Sequence, residues 1–184
     1  METREKAARD EGVILFVDDD ASIRESLGEH LTVCGFKVLL ADSYDSAVHV
    51  LKTTDQEIET ILCDIKMPGK SGLDVLRYVK AENLNVPLLL LTGVATLESC
   101  QEAVKDGAID YLLKPLEKTE ELIAALRRGV DKYRSDKQYR QTQVNLLKTA
   151  EEHCDILDDL LSDIEEKDAV LENLVKITEK WKTP

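Results

Sequence analysis

No stretch of this chain approaches the roughly 18 consecutive apolar residues of a membrane-spanning helix. Its charged start, Met1 to Lys6, lacks the apolar centre of a secretory leader. These absences predict a soluble protein. Cysteine is sparse: Cys34, Cys63, Cys100 and Cys154 lie far apart with no C-x-x-C spacing, which predicts neither a zinc site nor a disulfide framework. Separate reduced thiols fit a cytoplasmic location. Basic charge is short as well. With 24 Lys and Arg against 37 Asp and Glu, the net charge is -13, whereas nucleic-acid binders gather Lys and Arg on one face. No direct nucleic-acid partner is expected.

What is present suffices for one full core and an extension, since the 184 residues are 43% hydrophobic. The chain is organised around Ile61 to Gly69, an apolar run that ends on Asp64 and breaks at Pro68-Gly69. Such a run, closed by turn residues, reads as a buried strand. After a polar start over residues 1–12, expected to be disordered, a strand is predicted over Val13 to Val17, ending in Asp18, Asp19 and Asp20. Asp20 can cap the next helix, Ser22 and Glu25 have capping-box spacing, and Ile23, Leu27, His30 or Leu31, and Cys34 fall on one face. Further strands are expected over Lys37 to Ala41, Ile61 to Asp64, Val86 to Leu91 and Ala108 to Leu113. Helices follow from Ser43, from Ser71, from about Leu97 to Lys105, and from Thr119 to Tyr133. Continuous apolar strands alternating with helices predict an α/β domain over residues 13–133: a doubly wound, five-stranded parallel sheet, flavodoxin-like in its order 2-1-3-4-5.

Residues 131–143 are almost wholly polar and read as a hinge or an exposed helical connector. From Leu147 a three-four alternation begins, through Ala150, Cys154, Leu157, Leu161, Ile164, Asp168, Leu171 and Val175, with Leu146, Leu160, Leu174 and Trp181 beside it. This is a coiled-coil seam with a widened edge. Lys148 to Lys182 carries 5 basic and 11 acidic residues, and a lone helix would leave its leucine stripe in water. Residues 134–184 are therefore expected to be a helical coiled-coil extension that self-associates as a parallel dimer over residues 147–178, rather than folding back. A parallel pair would keep two copies of the domain at the same end. The terminal Trp181-Lys-Thr-Pro184 reads as a stop.

In a sheet of this order the crevice lies between strands one and three, where Asp18, Asp19 and Asp64 would meet. Carboxylates so close repel one another and call for a divalent cation. Oxygen-only ligands with room for water suit Mg2+. A metal there would shield Asp64 and orient a phosphoryl donor for attack by its carboxylate. Thr92 and Lys114, at the ends of strands four and five, would offer a hydroxyl and a cation to the phosphoryl oxygens.

With these residues in place, the chain resembles the receiver domain of bacterial two-component response regulators, including the chemotaxis receivers, from about Val13 to Tyr133. The resemblance implies that Asp64 is the phospho-acceptor and that Asp18 and Asp19 hold Mg2+, together with Asp64 and the backbone carbonyl of Lys66. It further implies that Thr92 and Tyr111 form the switch pair, that Lys114 binds the phosphoryl group, and that Lys114-Pro115 is a cis peptide. The implied partner is a sensor histidine kinase or a phosphotransfer protein. The implied role is a phosphorelay switch acting on protein contacts or dimer geometry, not an enzyme beyond its own phosphoryl transfer and dephosphorylation. The tail has no recognisable winged-helix, helix-turn-helix or ATPase output. Two alternatives stand beside this reading. Asp18, Asp20 and Ser22 resemble the D-x-D-x-S/T opening of Mg2+-dependent haloacid dehalogenase phosphatases, although that leaves Asp64 idle and no later acidic pair follows. The chain would otherwise be the N-terminal receiver part of a larger signalling enzyme.

Overall fold

A computed structural model describes residues 11–94, 96–115 and 119–180, with side chains to residue 176. Residues 1–10 of the polar start, expected to be disordered, and the terminal Trp181 to Pro184 lie outside the described residues. The elements alternate as β1 (Val13–Val17), α1 (Ala21–Val33), β2 (Lys37–Ala41), α2 (Tyr44–Thr53), β3 (Thr60–Asp64), α3 (Gly72–Ala81), β4 (Leu88–Thr92), α4 (Leu97–Asp106), β5 (Asp110–Leu113) and α5 (Thr119–Lys180). All pairings are parallel and the strand order is β2-β1-β3-β4-β5, so the expected doubly wound sheet is what forms. The chain divides into two units, Met1–Asp136 and Lys137–Pro184.

In the first unit, every residue of β1, β3 and β4 is buried. A parallel sheet covered on both faces requires this, and it explains why these strands read as unbroken apolar runs. Alternate residues split between two cores. Leu15, Val17, Ile61 and Leu90 pack with Val75, Leu76 and Val79 of α3 on one face. Ile14, Phe16, Leu62 and Leu89 pack with Leu31 of α1 and Leu122 and Leu126 of α5 on the other. Each fully buried aliphatic or aromatic side chain contributes about 1.5–3 kcal/mol relative to exposure.

Local signals differ from the expectations at several ends. Asp20 alone caps α1, accepting from the amides of Ser22 and Ile23, which leaves Ser22 inside the first turn rather than at a capping box of its own. Of His30 and Leu31, it is Leu31 that is buried, together with Gly28. Asp74 closes the start of α3, its carboxylate accepting from the amide and the hydroxyl of Ser71, both at 2.8 Å. The fourth strand begins at Leu88 rather than Val86; Pro87 has no amide to donate, and instead its carbonyl accepts from the Ile61 amide and the Thr60 hydroxyl. Glu11 and Gly12 are tied to the domain, since Arg127 pairs with Glu11 and the Lys37 amide donates to Gly12.

Gly72 marks the closest approach near the crevice. A Cβ there would collide with the backbone carbonyl oxygen of Asp64 and lie 3.0 Å from Cys63 Sγ, and backbone cannot yield as a flexible side chain does. Gly72→Ala is expected to lower stability by about 1–3 kcal/mol, seen as an earlier urea midpoint. A midpoint equal to that of the unmutated chain would show that α3 is free to shift.

Helix α5 continues through the polar segment at residues 131–143 into the second unit, so of the two expected possibilities that segment is helical. Beyond it the large apolar side chains among the described residues are all exposed, including Leu147 (67%), Leu157 (58%), Leu161 (58%) and Leu171 (58%). Two i,i+4 pairs, Lys148–Glu152 and Lys176–Glu172, span 3.9 Å each. Exposed pairs of this kind give a helix only about 0.3–0.5 kcal/mol each.

Candidate functional site

The register of the parallel sheet brings the candidate residues together. Val17 lies opposite Cys63 and Asp64 opposite Leu91, so the residue after β1 and the last residue of β3 emerge side by side at the carboxyl edge. Backbone bonds hold the exits in line: the Asp18 amide donates to Ala41, the Ile65 amide to Leu91, and the Lys114 amide to the Thr92 carbonyl at 2.7 Å. Lys114-Pro115 is a cis peptide.

Carboxylate oxygens of Asp18, Asp19 and Asp64 all lie within 4.8 Å of one another. Asp18 is fully buried, Asp64 is 8% exposed, and Asp19 opens to solvent. Lys114 Nζ stands between the two buried acids, 2.7 Å from Asp18 Oδ2 and 3.0 Å from Asp64 Oδ2. Burial alone would lower the Lys114 pKa, but hydrogen bonds to Asp18 and Asp64, and their charges, outweigh it and hold the ammonium above its ordinary value. It stays charged throughout the neutral range. Three carboxylates against one ammonium leave a formal surplus of negative charge in a crevice floored by apolar strands and open at Asp19.

The remaining contacts fix these groups. The second oxygen of Asp18 accepts from the Asp20 amide at 3.0 Å, and Arg24 Nη1 donates to the Asp18 carbonyl at 2.6 Å. The Lys66 amide points to Asp64 Oδ1 at 3.4 Å. The Thr92 hydroxyl, almost wholly buried, donates to the Val94 carbonyl at 2.9 Å and accepts from its amide at 3.2 Å. Tyr111 is half-buried against the core, and its hydroxyl meets Ser99 Oγ at 2.9 Å. Asp18, Asp19, Asp64 and Lys114 thus form one cluster, while Thr92 and Tyr111 have their hydroxyls engaged on the β4–α4 turn and on α4. Cys63 donates its thiol hydrogen to the Asp64 carbonyl. Burial, reinforced by the charges of Asp64 and Asp18, pushes that thiol well above its ordinary pKa, so it is an inert filler rather than a nucleophile or ligand.

Three contributors carry no mark in the sequence, Arg24, Gly72 and Ser99, and Cys63 stood out there only as a separate reduced thiol. A glycine two residues before an apolar helix face was the available signal for Gly72. Ser99 meets Tyr111 only through the packing of α4 on β5, and spacing along the chain does not show that.

The arrangement bears on the phosphatase alternative. Both oxygens of Asp18 are occupied and none of its surface is exposed, which is unsuited to a nucleophile, whereas Asp64 retains exposure. The donor set, three carboxylates with one edge open, fits a hard divalent cation that keeps several waters.

Residues 14–127 match the family described as the response regulator receiver domain. Among curated proteins, the chain is 32% identical over 134 residues to the DNA-binding transcriptional regulator NtrC of Klebsiella pneumoniae, covering 73% of this chain and 28% of that protein. It is 38% identical over 104 residues to the transcriptional regulatory protein ZraR of Escherichia coli (strain K12), covering 56% of this chain and 23% of that protein. The chain thus corresponds to less than a third of the length of these relatives. Among solved structures, a response regulator receiver domain protein from Clostridium thermocellum matches with a TM-score of 0.62 and 29% identity, over 67% of this chain and 97% of its own.

Proposed function

The chain belongs to the response regulator receiver family, and from that premise we propose that Asp64 is its phospho-acceptor, loaded by a sensor histidine kinase or a phosphotransfer protein. The observation that carries this is Asp64 at the carboxyl end of β3, partly exposed and 3.0 Å from the Lys114 ammonium, in a cluster with Asp18 and Asp19. In the transfer, an Asp64 carboxylate oxygen attacks phosphorus in line. The new O–P bond forms as the N–P bond to the donor histidine breaks, and the imidazole leaves with the electron pair and takes up a proton. Lys114 then has phosphoryl oxygens to neutralise in exchange for its present hold on Asp64.

Asp18, Asp19, Asp64 and the Lys66 carbonyl would hold Mg2+, which when bound supplies the positive charge that allows a phosphoryl donor near three carboxylates. Thr92 and Tyr111 would form the switch: the Thr92 hydroxyl leaves Val94 for a phosphoryl oxygen, and Tyr111 exchanges its Ser99 contact for an inward position. This is a two-state shift driven by differential contacts. Residues 13–133 act as the receiver and residues 134–184 as the extension that pairs two chains. The readout is a change in protein contacts, with no catalysis beyond the domain's own phosphoryl transfer and hydrolysis. The name of the first relative includes DNA binding; for this chain the -13 charge supports a reading without direct DNA contact. Among the described residues no helix is long and apolar enough to cross a membrane, and cytoplasmic residence accords with the reduced cysteines.

Incubation with a small acyl phosphate tests this reading. Uptake of phosphate is expected with Mg2+ and not with chelator, and Asp19→Asn is expected to raise the Mg2+ concentration required, because it removes the solvent-facing ligand while sparing the buried Asp18–Lys114–Asp64 group. Uptake indifferent to Mg2+ would contradict the assignment of the acidic cluster.

A further inference from the structure

We infer that the tail pairs with a second copy of this chain in one polarity and one register, parallel and in step, with Cys154 facing Cys154 across the seam. The inference rests on the proposed self-association and specifies its geometry. Written as heptads with Leu147 at position a, the seam has Cys154, Leu161 and Asp168 at later a positions and Leu157, Ile164 and Leu171 at d. Each of these apolar side chains stands on one continuous helix and is exposed.

The flanking rows decide the polarity. Position e is wholly acidic over the described side chains: Glu151, Asp158, Glu165 and Glu172. Position g carries Leu146, His153, Leu160, Lys167 and Leu174. In an antiparallel pair, e faces e and g faces g, so in any register acid opposes acid along one whole side. In a parallel, in-step pair, each g faces the e of the following heptad. Lys167 then meets Glu172, His153 meets Asp158, and the other acids meet leucines, so these two rows oppose no like charges, and the one like pair is Asp168 with Asp168 at the a position.

Asp168 fixes the step. As an a-position knob it meets Asp168 of the second copy in a hole whose wall includes Lys167, so the two facing carboxylates are flanked by two ammonium groups, one from each copy. A shift by one heptad would instead set Asp168 against Leu161 or Val175, with leucine as its g neighbour, leaving the carboxylate without a cation. A basic helix from another protein would also suit the acidic row. The chain's own Lys167 and His153 fall at the complementary positions, which favours the second copy.

Cys154 reports the geometry. Parallel, in-step pairing brings the two a-position backbones within disulfide reach, with Cα atoms about 4.4–6.8 Å apart, whereas antiparallel pairing about the middle of the seam separates them. Full-length chain carrying Cys34→Ser and Cys100→Ser, which removes the two half-buried thiols and leaves Cys63 buried, is treated with diamide. Two Cys154 thiols lose two protons and two electrons to the oxidant and form one S–S bond. A covalent dimer is expected on a non-reducing gel at low micromolar chain, and Cys154→Ser should abolish it. In the reduced chain, Lys167→Glu should weaken association several-fold, and Lys167→Glu with Glu172→Lys should restore it in part, since the pairing of positions 167 and 172 returns while Asp168 still lacks its cation. A dimer by light scattering that gives no Cys154 cross-link overturns the polarity and register alone. A chain that is monomeric at tens of micromolar overturns the self-association as well.

Discussion

Asp64→Asn is expected to reduce phosphoryl uptake to background while leaving the fold intact. The amide preserves the shape of the carboxylate, and its oxygen can still accept from Lys114, now 3.0 Å from Asp64 Oδ2. What it loses is the anionic oxygen that attacks phosphorus. Asp18→Asn should behave differently: Asp18 is fully buried with both oxygens engaged, so the amide weakens metal binding and the hold on Lys114 but leaves an acceptor in place. Labelling should fall and persist. The opposite pattern, with normal labelling of Asp64→Asn and none of Asp18→Asn, would restore the phosphatase reading that begins at Asp18.

The second large effect is expected in the tail. Leu157→Asp with Leu161→Asp places charges at adjacent d and a positions of the seam, where both leucines are 58% exposed on the single helix. A homodimer would lose four leucines, each contributing roughly 1.5–3 kcal/mol on burial, and would face new carboxylates against one another. A micromolar association amounts to about 8 kcal/mol, so a loss of this size leaves monomers. Light scattering should show a concentration-dependent dimer for the unmutated chain and none for the variant, which should still take phosphate at Asp64. A variant that remains dimeric would move the contact away from residues 147–176.

The strands were legible in the sequence because a parallel sheet covered on both faces demands unbroken apolar runs, and Val13–Val17 and Leu88–Leu91 have no other use for that composition. Their ends were less legible. Val86 and Pro87 continue the apolar run without joining β4, and Ile109 likewise precedes β5. Here hydrogen-bond register, not hydrophobicity, decides where a strand begins. At the crevice, four strand-end residues, Asp18, Asp64, Thr92 and Lys114, were visible because topology converts a strand end into a site. The bonds that hold them were not: Arg24 on the Asp18 carbonyl and Ser99 on Tyr111 depend on how helices pack, which local pattern does not encode. The tail was legible as a stripe, and its flanking charges became informative once α5 proved continuous through the polar segment at residues 131–143.

Locating the phosphoryl group on the chain identifies the acceptor. The unmutated chain, treated with a small acyl phosphate and Mg2+, is digested at acidic pH and its peptides are sequenced by mass spectrometry. A single phosphoryl adduct on Asp64 is the expected result. An adduct on Asp18, or on a residue outside the acidic cluster, with Asp64 unmodified, would contradict it.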